Sequence, residues 1–129
     1  MTSTAEMIGV VGGGQLARML VQAAALRDVP IAVQTPSGED PACEGATRQV
    51  AADPRDASGT RDLVQGCCGV TFENEWVDIP ALRSLERQGA CFSPGLKALS
   101  PLVDKLSQRQ LLDELGIPAP PWCPLSEIA

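Results

Sequence analysis

The apolar positions along the chain switch between two periods. Met7-Ile8-Gly9-Val10-Val11 is a short, unbroken apolar run, as expected of a strand buried on both faces. Gly12, Gly13 and Gly14 break it. Leu16, Met19, Leu20, Ala23 and Ala24 then recur at helical spacing, with Arg18, Gln22 and Arg27 on the other faces. They predict an amphipathic helix with that stripe turned inward. After Pro30, Ile31 to Gln34 reads as a second strand. Thr35 to Arg48 is polar and rich in Gly and Pro, and predicts a long surface loop. Gln49-Val50-Ala51 predicts a short third strand. Ala57 to Gln65 predicts a helix that Gly66 ends, and Val70-Thr71-Phe72 a fourth strand. Pro80 suits the first turn of a helix running to about Gln88, with Gly89 closing it. Ala90 to Ser93 predicts a fifth strand. From Ser100 a further helix carries Leu102, Val103, Leu106, Leu111, Leu112 and Leu115, until Gly116 and Pro118 stop it.

Strands alternating with helices, and strands that are apolar without alternation, predict an α/β fold. The expected form is a Rossmann-like parallel sheet with helices on both faces, followed by a C-terminal linker helix. Pro118, Pro120, Pro121 and Pro124 make a stiff, extended stretch close to the C-terminus. A Pro-rich connector in that place reads as a boundary cut through, so the chain is expected to be the front part of a longer protein. Leu99, Leu102, Leu106, Leu112 and Leu115 would then form an apolar patch that a missing domain covers.

Composition narrows the function. The 129 residues hold 10 Lys and Arg against 16 Asp and Glu, a net charge of -6. An acidic chain with scattered cations lacks the basic footprint of a nucleic-acid binder, and no nucleic-acid partner is expected. No apolar run approaches the roughly 18 residues of a membrane span, and MTSTAEM is not a secretory leader, so no membrane partner is expected either. The chain has no His, which removes the commonest general acid–base catalyst and metal ligand. Its five cysteines are odd in number and show no C-x-x-C spacing. Zinc and a disulfide framework are therefore not expected. The thiols read as reduced, in a cytoplasmic protein, with Cys67 and Cys91 as small buried hydrophobes. Neither a catalytic residue nor a metal ligand stands out.

Three segments carry candidate chemistry. Gly12-x-Gly14-x-x-Ala17, between a strand and a helix, lets the backbone turn sharply in front of free N–H groups and a positive helix end, which suits a phosphate. A dinucleotide site also needs an acid about 20 residues on to hold the ribose. Gln34-Thr35 stands there instead, which counts against NAD, and Gln15 offers a neutral amide at the mouth of the turn. Thr71-Phe72-Glu73-Asn74-Glu75-Trp76 places Glu73 at the carboxyl end of a strand, where open α/β sheets bind ligands and a carboxylate can accept from sugar hydroxyls. Glu75 shares that task or faces water, and Trp76 is expected to pack under the loop. The third segment, Asp104 to Leu112, is an amphipathic helix. Its Lys105 and Arg109 are like charges at i,i+4, mildly unfavourable unless they meet an anion.

Together these segments resemble the 5-(carboxyamino)imidazole ribonucleotide synthase family of ATP-grasp enzymes in purine biosynthesis. The match runs in order through IGVVGGGQLARML, DPA after the second strand, VTFENEWV and SPGLKALSPLVDKLSQRQLLDELGIPAPPW. The resemblance implies a ligase that uses ATP, Mg²⁺ and bicarbonate to carboxylate 5-aminoimidazole ribonucleotide, as a homodimer in the full-length protein. It implies that Gly13, Gly14, Gln15 and Leu16 contact the phosphate or ribose side of the substrate. It further gives Glu73 the ribose hydroxyls and Lys105 an ATP phosphate. Residues 1–99 become a pre-ATP-grasp substrate-phosphate-binding domain. Residues 100–129 become a connecting helix and the start of a truncated ATP-grasp domain. The ATP clamp and the magnesium carboxylates would lie beyond, so the chain alone is expected to be inactive. The competing reading is a standalone Rossmann-like nucleotide-binding regulatory module.

Overall fold

Four parallel strands form one sheet in the computed structural model, which describes residues 6–127. They are β1 Met7–Val11, β2 Ile31–Gln34, β3 Arg48–Val50 and β4 Cys67–Phe72, in the order β3-β2-β1-β4. The helices are α1 Gln15–Ala25, α2 Ala57–Val64, α3 Ile79–Arg87, α4 Leu96–Leu99 and α5 Lys105–Glu114. Short 3-10 turns cover Pro41–Cys43, Ser100–Leu102 and Leu125–Glu127. The α/β fold expected from the alternation is the one observed.

β1 lies between β2 and β4, which is why its sequence is apolar without a break. Ile8 and Val10 face α1, with Ala17, Val21, Ile31, Val33 and Ala42. Met7 and Val11 face the other side, where Leu63, Val70, Leu82, Leu85 and Leu96 gather the larger core under α2, α3 and α4. Strand order runs one way from β1 to β2 and the other way to β4. The carboxyl ends of β1 and β4 therefore flank the switch point, where ligands bind in such sheets.

Several expectations are corrected. Helix α1 packs through Ala17, Val21 and Ala24, while Leu16, Met19 and Leu20 point outward. Small residues let the helix lie close to the sheet, so side-chain size overrules the larger apolar stripe. The fifth strand shrinks to one bridge, Val70 with Phe92. Val70 N–H donates to Cys91 O at 2.8 Å and Ser93 N–H donates to Val70 O at 2.9 Å. Phe92 is buried in the core and Ala90 packs half-buried against it, while Cys91 and Ser93 are exposed, so little holds a longer strand against the edge. Cys91 is accordingly exposed, whereas Cys67 is half-buried against the larger core, and burial pushes its thiol up. The loop expected over Thr35–Arg48 is less loose than its composition. Its 3-10 turn plants Ala42 at 0% exposure against α1.

The last helix starts at Lys105 and not at Ser100. Asp104 is extended, and its Oδ2 accepts from Ser107 N–H and from the Ser107 hydroxyl, both at 2.8 Å. This N-cap interrupts an apolar pattern that is continuous across it. Leu99, expected on the apolar patch, is 5% exposed and belongs to the core; Leu106 and Leu115 are exposed, and α5 buries no residue.

Candidate functional site

The glycine turn between β1 and α1 is held from three sides by the chain itself. Gly12 N–H donates to Gln34 O and Ala42 N–H donates to Gly13 O, both at 2.9 Å, so the DPA segment docks directly on the turn. The first turn of α1 carries no acid, and its N-cap, Gly14, has no side chain to offer. Glu73 supplies both from the end of β4. Gly14 N–H donates to its Oε2 at 2.9 Å and Ala17 N–H to its Oε1 at 3.4 Å. A carboxylate at a helix N-terminus meets the unpaired N–H groups and the positive dipole end.

The glycines answer to these side chains. A Cβ on Gly12 would sit 2.6 Å from Glu73 Cβ, and one on Gly13 2.5 Å from Thr35 Cβ. Gly12 also has φ +116°, a conformation that side chains rarely adopt. The space beside Gly12, Gly13 and Gly14 holds Glu73 and Thr35. Thr35 donates its hydroxyl to Asp40, which ties the DPA segment to the same point. Gln15 and Leu16 open α1 and are both exposed at the mouth of the turn. Glu73 is half-buried. Its carboxylate has about four acceptor sites, of which the two N–H groups use two.

Gln34 occupies the position where a dinucleotide site carries its ribose acid. It is 0% exposed and points to the α2 side of the sheet. Its Nε2 donates to Asp53 O at 2.7 Å and Asp56 O at 3.0 Å, and its Oε1 accepts from the Thr60 hydroxyl at 2.8 Å. The amide is fully engaged in fixing the loop between β3 and α2. It cannot reach a ribose, which removes the main contact the regulatory-module reading required.

Glu75 and Lys105 join two motifs that sequence spacing leaves apart. Lys105 Nζ lies 3.3 Å from Glu75 Oε1 and 3.3 Å from Gln108 Oε1. The Glu75 backbone N–H and the Lys105 ammonium hold the Glu75 carboxyl below the usual carboxylate range. The predicted site residues therefore fall into two groups: Gly13, Gly14, Gln15, Leu16 and Glu73 at the switch point, and Lys105 with Glu75 at the start of α5. Trp76, expected under the loop, is 68% exposed; its backbone N–H donates to Asn74 Oδ1 at 3.0 Å in a tight local turn. Sequence reasoning missed the bracing of the turn by Thr35, Asp40 and Ala42. The one available signal was the DPA segment, whose polarity read as loop.

No group of three or more His, Cys, Asp or Glu side chains among the described residues could hold a metal ion. No described helix is long and apolar enough to cross a membrane.

Residues 5–101 match the family described as the ribonucleotide synthetase preATP-grasp domain. The chain is 46% identical over 121 residues to an N5-carboxyaminoimidazole ribonucleotide synthase of Synechocystis sp., covering 94% of this chain and 31% of that protein. It is 49% identical over 118 residues to the synthase of Synechococcus elongatus, covering 92% and 30%. Among solved structures, the N5-carboxyaminoimidazole ribonucleotide synthetase of Thermotoga maritima superposes with a TM-score of 0.80 at 32% identity, over 90% of this chain and 32% of that one. The Aspergillus clavatus N5-carboxyaminoimidazole synthase, solved with ADP and 5-aminoimidazole ribonucleotide, gives 0.78 at 29% identity over 89% and 30%. The chain spans about a third of the length of the curated relatives it matches.

Proposed function

The chain belongs to the ribonucleotide synthetase preATP-grasp family, and from that premise we propose that it forms the N-terminal portion of an ATP-dependent carbon–nitrogen ligase. The reaction carboxylates the exocyclic amine of 5-aminoimidazole ribonucleotide with ATP and bicarbonate, giving 5-(carboxyamino)imidazole ribonucleotide for de novo purine biosynthesis in the cytoplasm. ATP activates bicarbonate as carboxyphosphate, and the amine attacks that carbon and displaces phosphate. The complete enzyme works as a homodimer. Residues 1–99 dock the ribonucleotide, and residues 100–129 lead into the ATP-grasp part.

The observation that carries this reading is Glu73 at the switch point, half-buried, with acceptor sites left over beside the exposed Gln15. Gly13, Gly14, Gln15 and Leu16 line the mouth of that site. Because the Glu73 carboxylate already fills the anion position at the start of α1, the ribose side of the substrate suits the turn better than its phosphate. Glu73 accepts from ribose hydroxyls, and Lys105 contacts an ATP phosphate. Magnesium does not fit the residues described here, since no acidic cluster is present; the ion belongs to the ATP-grasp part.

The test is a titration of the chain with 5-aminoimidazole ribonucleotide and, separately, with NADH, followed by backbone amide shifts. Shifts at Gly12–Leu16 and Glu73 with the ribonucleotide alone are expected. Shifts with NADH alone, or none with either ligand, overturn substrate docking by this chain. In the same assay Gln15→Ala should weaken the ribonucleotide by about 1–2 kcal/mol, the worth of one hydrogen bond. An unchanged dissociation constant would leave Gln15 only lining the turn. The chain alone is expected to show no ribonucleotide-dependent ATP turnover, and any such turnover would contradict the assignment of the ATP clamp to the rest of the enzyme.

A further inference from the structure

The glycine turn is an anion site whose anion is built into the chain. Helix N-termini bind phosphates because their first N–H groups are free and the dipole is positive there. Nothing among the described residues accepts from the N–H groups of Gly13, Gln15 or Leu16. The N–H groups of Gly14 and Ala17 are taken, both by Glu73, at 2.9 and 3.4 Å. A Cβ on Gly14 would fall 2.5 Å from Glu73 Oε1, so this glycine makes room for the carboxylate. No cation offsets that charge, since the salt bridges among the described residues join Arg18 to Glu44 and Lys105 to Glu75. Free donors and a fixed negative charge therefore stand side by side. A sugar hydroxyl satisfies both, because it donates to the carboxylate and accepts from a free N–H. A phosphate satisfies the donors but meets a like charge, which is costly away from water.

We infer that Glu73 is a specificity-determining residue: it bars anionic groups from the glycine turn and admits neutral, hydroxyl-bearing ones. A turn of the dinucleotide-binding form thereby rejects a pyrophosphate. Gln34 acts separately, since its amide is spent on Asp53 O and Asp56 O where such a site needs its ribose acid. The exclusion follows from the geometry of the turn alone. Its consequence for the substrate, ribose inward and phosphate outward, rests on the docking reading above.

Sulfate is the probe, because it stays dianionic near neutral pH and has no hydrogen to donate. The chain is titrated with sodium sulfate at constant ionic strength, balanced with sodium chloride, and the amide shifts of Gly13 to Ala17 are followed. The wild type should show no saturable shift, and a saturable one overturns the inference. Glu73→Gln keeps the length and one acceptor oxygen for Gly14 but loses the charge. It should bind sulfate at least about tenfold more tightly than the wild type, as removal of a juxtaposed like charge does. Glu73→Ala, which empties the position, should gain in the same direction, and amide dispersion shows that each variant is folded. No gain in either variant overturns the inference. Glu86→Gln removes the same charge from the exposed surface of α3. An equal gain there reduces the effect to net charge and also overturns it. Titration of the wild type with 5-aminoimidazole ribonucleotide separates the two readings. Ribonucleotide shifts without a sulfate gain in the variants leave docking standing and overturn the exclusion. A sulfate gain without ribonucleotide shifts does the reverse.

Discussion

Replacing Gly12 with alanine should lower the stability of the chain by roughly 2–5 kcal/mol, the sum expected for a forced positive φ and an overpacked contact. The backbone at Gly12 has φ +116°, and the new methyl would fall 2.6 Å from Glu73 Cβ. Glu73 cannot retreat freely, because its two oxygens are bound to Gly14 and Ala17. Against a total stability of about 5–15 kcal/mol, such a loss is large. Urea unfolding of the wild type and the variant measures it. The pair Gly12→Ala and Glu73→Gly separates the causes: the clash disappears when residue 73 carries no Cβ, but the backbone strain remains. The double variant should therefore recover at least about 1 kcal/mol relative to additivity. A single-variant loss below about 0.5 kcal/mol, the ordinary surface range, would mean that the turn relaxes without cost.

The second large effect is expected at Gln34. Gln34→Leu keeps the volume but leaves Asp53 O and Asp56 O without their donor and the Thr60 hydroxyl without its acceptor. Each buried group left unpaired costs about 1–3 kcal/mol. Thr60 recovers part of this, since its hydroxyl also lies 3.3 Å from Asp56 O. A net loss of roughly 2–5 kcal/mol follows, measured by the same unfolding experiment. Gln34→Glu adds a pH signature. A carboxylate facing two carbonyls at 0% exposure must have its folded pKa raised above the unfolded value. The folded state then binds more protons than the unfolded one. Stability of this variant should fall as pH rises from about 4, the unfolded Glu value, through the raised folded value. A loss that does not change with pH would place the side chain in water.

Those two residues also show how far the sequence could be read. Four of the five expected strands, their parallel direction and the glycine turn were legible because buried parallel strands are apolar without alternation and glycines mark the turn. Gln34 was legible as an absence, the missing ribose acid, but its task was not, because its partners lie in a loop far along the chain. Glu73 was visible as an acid at a strand end. What it touches depends on which strand neighbours β1, and pattern alone does not give strand order. The start of α5 was misplaced for a local reason: Asp104 caps the helix inside a run whose apolar spacing continues through it. The pairing of Glu75 with Lys105 left no trace at all, since charges that meet across loops show no period.

The bond from Gly14 to Glu73 closes over a separation of 59 positions. The first turn of α1 therefore lacks its cap until β4 has paired beside β1, so it is a late part of the fold although it is written early in the sequence. The amides of Gly14 and Ala17 should then exchange with solvent at the pace at which β4 lets go, and not at the faster pace of a fraying helix end. Those two hydrogens time the opening of the sheet at the edge where ligand docking is proposed.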